Sequence, residues 1–92
     1  MIIRIMGDGQ YQVDSCLLDN LNAIDNKIVE HVSKGDHKKF RKDLGQMIST
    51  IKEKGEPLDP VEILPSDIIV PPEDMTLEEA RRVFSGHGLI ED

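Results

Sequence analysis

Two apolar stripes at helical spacing, on helices separated by only three residues, constrain this chain more than any other feature. Leu17, Leu21, Ile24, Ile28 and Val32 step by four, three, four and four, which places them on one face of a helix over about 15 to 33. Asp14 and Ser15 are both N-cap residues for that helix, and Gly35 is a suitable stop. Asp36 caps a second helix, whose face carries Phe40, Leu44, Met47, Ile48 and Ile51 and which ends at Gly55. With only "KGD" between them, the two helices must return antiparallel as an αα-hairpin.

Such a hairpin needs an apolar surface to cover, and the flanking segments supply strands. The opening "MIIRIMGDGQYQV" sets Ile2, Ile3, Ile5 and Met6 before a Gly-Asp-Gly turn, then alternates Tyr11 and Val13 with Gln10 and Gln12. This is the signature of a β-hairpin with strands at 2–6 and 10–13. After Gly55 the text changes to "GEPLDPVEILPSDIIVPP", where X-Pro steps exclude helix and favour extended backbone. Val61, Ile63 and Leu64 read as a short extended segment, and Ile68 to Val70 as the third strand, terminated by Pro71. Thr76 with Glu79 forms a capping box that opens a last helix with Leu77, Ala80, Val83 and Phe84 as its buried face. Gly86 and Gly88 end it, leaving Leu89 and Ile90 to pack or pair. The fold expected is α+β, in the order ββααβα, with a small three-stranded sheet carrying the αα-hairpin and the C-terminal helix on its apolar face.

Ninety-two residues suit a single domain, here 1–92, because a chain of this size supports one modest core. Hydrophobic residues make up 38% and charged ones 32%, with no Trp, one Tyr and two Phe, so the core is built mainly of Ile, Leu, Val and Met. The one cysteine excludes an internal disulfide, and no apolar run approaches a membrane span or a signal-peptide core. A cytoplasmic location is expected. The net charge of −7 argues against nucleic acid as a partner, since phosphate contacts need a basic surface. The charge is uneven: residues 1–55 sum to +1 and residues 56–92 to −8. The two halves should attract, or address different partners.

Motifs that carry chemistry are weak. Gly7-Asp8-Gly9 lacks the Lys-Ser/Thr of a phosphate loop and leads into a strand, so it reads as a turn. Cys16 sits at a helix start, where the macrodipole favours a thiolate, but no histidine is placed by local spacing to act as its base; a half-buried structural cysteine is the reading adopted. His31, His37 and His87 lack the spacing of a zinc site and are assigned capping or surface roles. Asp19, Asn20, Asn22, Asp25 and Asn26 imitate a calcium loop in composition alone and read as a solvated helix face. Arg81 and Arg82 are expected to pair with Glu78, Glu79 or Asp67. No metal, cofactor or catalytic residue is assigned.

The exception is Lys38, Lys39, Arg41 and Lys42, packed into the first turns of the second helix. Positive charge there opposes the helix macrodipole, so local stability does not account for it. One reading is a solvated face paired with the acidic C-terminal segment. The other is a binding patch for acidic residues of a partner or for anionic headgroups, with a protein favoured because a chain of charge −7 is repelled by an anionic membrane.

"MIIRIMGDGQYQVD", the helical pair with its "GD" elbow, "LPSDIIVPPEDMTLEEARRVF" and the closing "GLI" together resemble the PspA-associated domain of archaea and actinobacteria, over almost the full chain. The resemblance implies a non-catalytic accessory or adaptor protein for a PspA-like, ESCRT-III-related coiled-coil protein in the phage-shock type of envelope stress response. It implies contact with the membrane only through that partner. The alternative is a small ligand-binding domain or enzyme with a pocket between sheet and helices. Homodimerisation through an exposed strand, Ile2 to Met6 or Ile68 to Val70, is compatible with so small a core.

Overall fold

A computed structural model describes residues 1–59, 61 and 64–83. β1 (Ile2–Ile5) and β2 (Gly9–Gln12) form the expected antiparallel hairpin, with Ile3 opposite Tyr11 and Ile5 opposite Gly9. Gly7 takes φ +85° in the turn, a conformation costly for any residue with a Cβ, and Asp8 N–H donates back to the Ile5 carbonyl at 3.0 Å.

The helical pair follows the sequence pattern closely. Asp14 accepts from the Cys16 amide at 3.1 Å and starts a 3₁₀ turn, Ser15–Leu17, that runs directly into α1 (Leu18–Lys34). Gly35 closes α1 in the left-handed region at φ 72°, its N–H donating to the Val32 carbonyl at 3.1 Å while the Asp36 N–H donates to the His31 carbonyl at 2.9 Å. Orphaned carbonyls of the last turn are thereby satisfied. Asp36 then caps α2 (His37–Lys54), its Oδ1 accepting from the Lys39 amide at 3.2 Å.

The strand count differs from expectation. A fourth strand, β3 (Glu56–Pro57), pairs antiparallel with Gln12 and Tyr11, so the sheet has the order β3-β2-β1-β4. Its two residues carry no apolar alternation, and Pro57 sits where proline is tolerated, on an edge. Conversely, Val61 and Leu64, expected in an extended segment, belong to no strand; Val61 lies in a turn and is 83% exposed. Ile63 lies outside the described residues. β4 (Ile68–Val70) does form, parallel to β1 with Ile3 opposite Ile68 and Ile5 opposite Val70. Its register is locked at both ends, because Asp67 N–H donates to the Ile2 carbonyl at 2.8 Å and Met6 N–H to the Val70 carbonyl at 2.9 Å. β1 is thus interior to the sheet, which removes Ile2 to Met6 as a dimerisation edge.

Ile3, Ile5, Tyr11, Val13 and Val70 point to one face of the sheet and are buried. The α1 and α2 stripes named above close over them, with Met75 and Ala80 completing the layer and Leu17 packed at its margin. Burying each large aliphatic side chain contributes about 1.5–3 kcal/mol, and Phe40, Leu44 and Ile28 are wholly buried. Gly55 allows α2 to meet the sheet: a Cβ there would lie 2.6 Å from the Ile51 carbonyl oxygen and 2.8 Å from Val13 Cγ1. On the opposite face, Gln10 Nε2 donates to the Leu64 carbonyl at 2.6 Å and to Ser66 Oγ at 2.8 Å, fastening the approach to β4.

α3 (Leu77–Val83) begins at Thr76, whose Oγ1 accepts from the Glu79 amide and donates to Glu79 Oε1, both at 3.2 Å. Ala80 is buried and Leu77 packs against the core. The calls on the Val83 side chain, Phe84, Gly86, His87, Gly88, Leu89 and Ile90 fall outside the described residues.

Candidate functional site

Lys38, Lys39, Arg41 and Lys42 are all exposed at the start of α2, beside the elbow where α1 ends. The elbow neutralises some of its cations internally. Lys34 Nζ pairs with Glu30 Oε1 at 2.9 Å, which lowers the pKa of the carboxylate and raises that of the amine. Lys39 Nζ lies 3.9 Å from Asp36 Oδ2. Lys38, Arg41 and Lys42 make no ion pair with any described residue. Of the predicted patch, these three are the charges available to a partner.

Arg41 lines a groove of about 330 Å³ together with Glu73 and Asp74, which lie just after Pro71-Pro72. The Glu73 carboxylate lies over α2 at Gly45, with Oε1 3.6 Å from where a Cβ would stand. One residue of the basic half and two of the acidic half thus share a groove, with no ion pair among the three.

Behind this surface, His31 of α1 and Asp43 of α2 are joined through Nδ1 and Oδ2, both largely shielded from solvent. His31 is thus an interhelical tie; its carbonyl also serves the cap of α1. His37 is exposed. Asp25, read from sequence as part of a solvated face, is 1% exposed, and Asn22 is half-buried, whereas Asp19, Asn20 and Asn26 are exposed. A helix face cannot be wholly solvated when strands and a third helix pack around it.

Cys16 corrects the sequence reading in a second respect, being exposed and not half-buried. The Asp14 carboxylate beside it, as hydrogen-bond acceptor and negative charge, pushes the thiol pKa up and opposes the helix-start effect. Arg81 and Arg82 are exposed and form no ion pair with a described residue. Two of the three expected partners are engaged elsewhere: Asp67 Oδ2 accepts from the Ile2 amide at 2.8 Å, and Glu79 holds Thr76. Arg81 instead reaches α1, with Nη2 3.2 Å from the Cβ position of Gly35. A cation is favoured there by the carbonyls of the last turn.

The family model described as PspA-Associated protein matches residues 1–92. The chain belongs to the PspA-associated family. No curated protein and no solved structure is matched by it. The family's name denotes a protein linked to PspA, in keeping with the phage-shock stress response that the family resemblance implies. Among the described residues of this PspA-associated chain, no helix is long and apolar enough to cross a membrane. The placement of Arg41 in one groove with Glu73 and Asp74, and the tie between His31 and Asp43, were not visible in the sequence. The excess of unpaired cations at a helix start was the signal pointing to that end of the molecule.

Proposed function

We propose that this chain is a non-catalytic accessory protein that binds a PspA-like coiled-coil protein during membrane stress, with Lys38, Lys39, Arg41 and Lys42 on the docking surface. The observation that carries this reading is the match of the PspA-associated family over the whole chain. Three unpaired cations on a rigid helical pair support it, because exposed charges on a fixed frame steer association and set specificity. A pocket between sheet and helices, required by the ligand-binding alternative, is not favoured where Ile3, Tyr11, Phe40 and Leu44 fill that space. The protein meets the membrane through its partner.

The test is affinity capture from native cells with this chain as bait. Recovery of a PspA-like coiled-coil protein, lost as salt is raised, is expected, and Lys38→Glu/Lys42→Glu should reduce it. A preparation that never contains such a protein overturns the reading.

A further inference from the structure

The groove beside α2 is bipolar, and that property identifies what it accepts. Among the described residues, Arg41 of α2 and Glu73 and Asp74 of the segment after Pro72 line it. All three side chains are exposed and none is ion-paired with a described residue. Opposite charges left apart across a groove are an arrangement that a ligand of the reverse polarity completes. Lys38 and Lys42 continue the basic side along α2, while the Glu73 carboxylate lies over Gly45, whose missing side chain keeps the helix surface low. Lys38, Arg41, Lys42 and Gly45 recur at i, i+3, i+4 and i+7, so the row spans roughly 10 Å at the helical rise. Its charge changes sign once over that length, from Lys38, Arg41 and Lys42 to the Glu73 carboxylate over Gly45.

We infer that this groove receives a helix of the partner, lying along α2, whose surface offers carboxylates to Lys38, Arg41 and Lys42 and, about one turn further on, a Lys or Arg to Glu73 and Asp74. Acid and base one turn apart are the ordinary exposed pattern of a charged helix. Anionic lipid is disfavoured as the occupant, because Glu73 and Asp74 repel the same headgroups that the cations attract. The inference rests on the PspA-partner reading above, and it adds the polarity of the contact and the orientation of the partner helix along α2.

The sign of one charge reversal separates this arrangement from a simple basic patch. The measurement is binding of the purified full chain to the purified PspA-like coiled-coil protein of the same organism at low salt, with circular dichroism as the check on folding. Lys38→Glu/Lys42→Glu should weaken binding in either case. Glu73→Lys/Asp74→Lys makes the region more positive, so a basic patch would bind more tightly; the bipolar groove instead predicts a loss of about fivefold. Weaker binding of that variant supports the proposal, and equal or tighter binding overturns it while leaving the partner reading intact. Absence of binding by the unsubstituted chain overturns both. Phosphatidylglycerol vesicles serve as the second probe: binding to them without the coiled-coil protein, abolished by Arg41→Glu, would overturn a protein occupant.

Discussion

His31 and Asp43 stand 12 residues apart in the chain and share a hydrogen bond across the seam between α1 and α2. The bond ties the two helices behind the basic surface, so the elbow's shape depends on it. A carboxylate left without its partner in a shielded site loses more than the bond contributes, because its own desolvation goes uncompensated. His31→Ala should therefore lower unfolding stability by about 1–3 kcal/mol, and the double variant with Asp43→Ala should cost less than the sum of the two single variants. Urea denaturation of the four proteins of the cycle decides it; strict additivity would mean that the pair does not interact.

Gly55 and Gly45 predict opposite responses to the same substitution. Gly55→Ala drives a Cβ to within 2.6 Å of the Ile51 carbonyl and 2.8 Å of Val13, and neither can withdraw without moving α2 off the sheet. A loss of about 1–3 kcal/mol is expected, typical of overpacking. Gly45→Ala meets only the end of the flexible Glu73 side chain at 3.6 Å, so the helical preference of alanine should appear as a gain of up to about 1 kcal/mol. Thermal melts of both variants would show a fall for the first and a rise or no change for the second.

The β-hairpin turn is coupled to α2 through charge. Lys52 Nζ lies 2.7 Å from Asp8 Oδ2, and the Tyr11 hydroxyl donates to Asp8 Oδ1 at 3.0 Å. The bond from Lys52, then that from Tyr11, holds the Asp8 carboxyl below its ordinary pKa. A depressed folded-state value means that its contribution is present above the unfolded carboxylate's pKa and is lost as pH falls through the lower folded value. Burial and Asp8 raise the Tyr11 pKa, and Asp8 raises that of Lys52. Their contributions are whole below the unfolded values near pH 10 and are lost as pH rises through the folded ones. Melting temperature followed from pH 5 down to 2 should fall less steeply for Asp8→Asn than for the parent. Parallel curves would exclude Asp8 from the acid transition.

Exposure without reactivity is the expectation for Cys16. With Asp14 pushing its pKa up, the thiol should alkylate slowly with iodoacetamide at neutral pH, and the rate should rise only at alkaline pH. Asp14→Asn keeps an acceptor for the Cys16 amide and removes the charge, so its rate profile should move to lower pH. Identical profiles for the two proteins would show that Asp14 does not control the thiol.

What was legible in the sequence was what is decided locally. The α1 and α2 stripes, the stop at Gly35, the caps at Asp14, Asp36 and Thr76, and the strand Ile68–Val70 between prolines all depend on a few neighbouring residues. β3 was not legible, since Glu56 and Pro57 are strand only because Gln12 and Tyr11 present a free edge to them. Val61 misled for the converse reason: its apolar character suggested an extended segment, and it lies in an exposed turn. Lys38, Lys39, Arg41 and Lys42 stood out by violating the macrodipole, but the acidic wall facing Arg41 comes from a distant segment that no helical periodicity could indicate.

The chain leaves β3 on one edge of the sheet and arrives at β4 on the other, passing the outer face where Gln10 grips Leu64 and Ser66. That passage acts as a belt whose buckle is the Ile2–Asp67 contact, between residues 65 positions apart. The hairpin and the two long helices can assemble before the belt is fastened, being built from near neighbours; β4 cannot. The edge strand β4, then Glu73 and Asp74, and then α3 follow that buckle in the chain. The acidic side of the groove thus hangs on contacts between residues far apart in the chain, whereas the basic side rests on a frame of near neighbours.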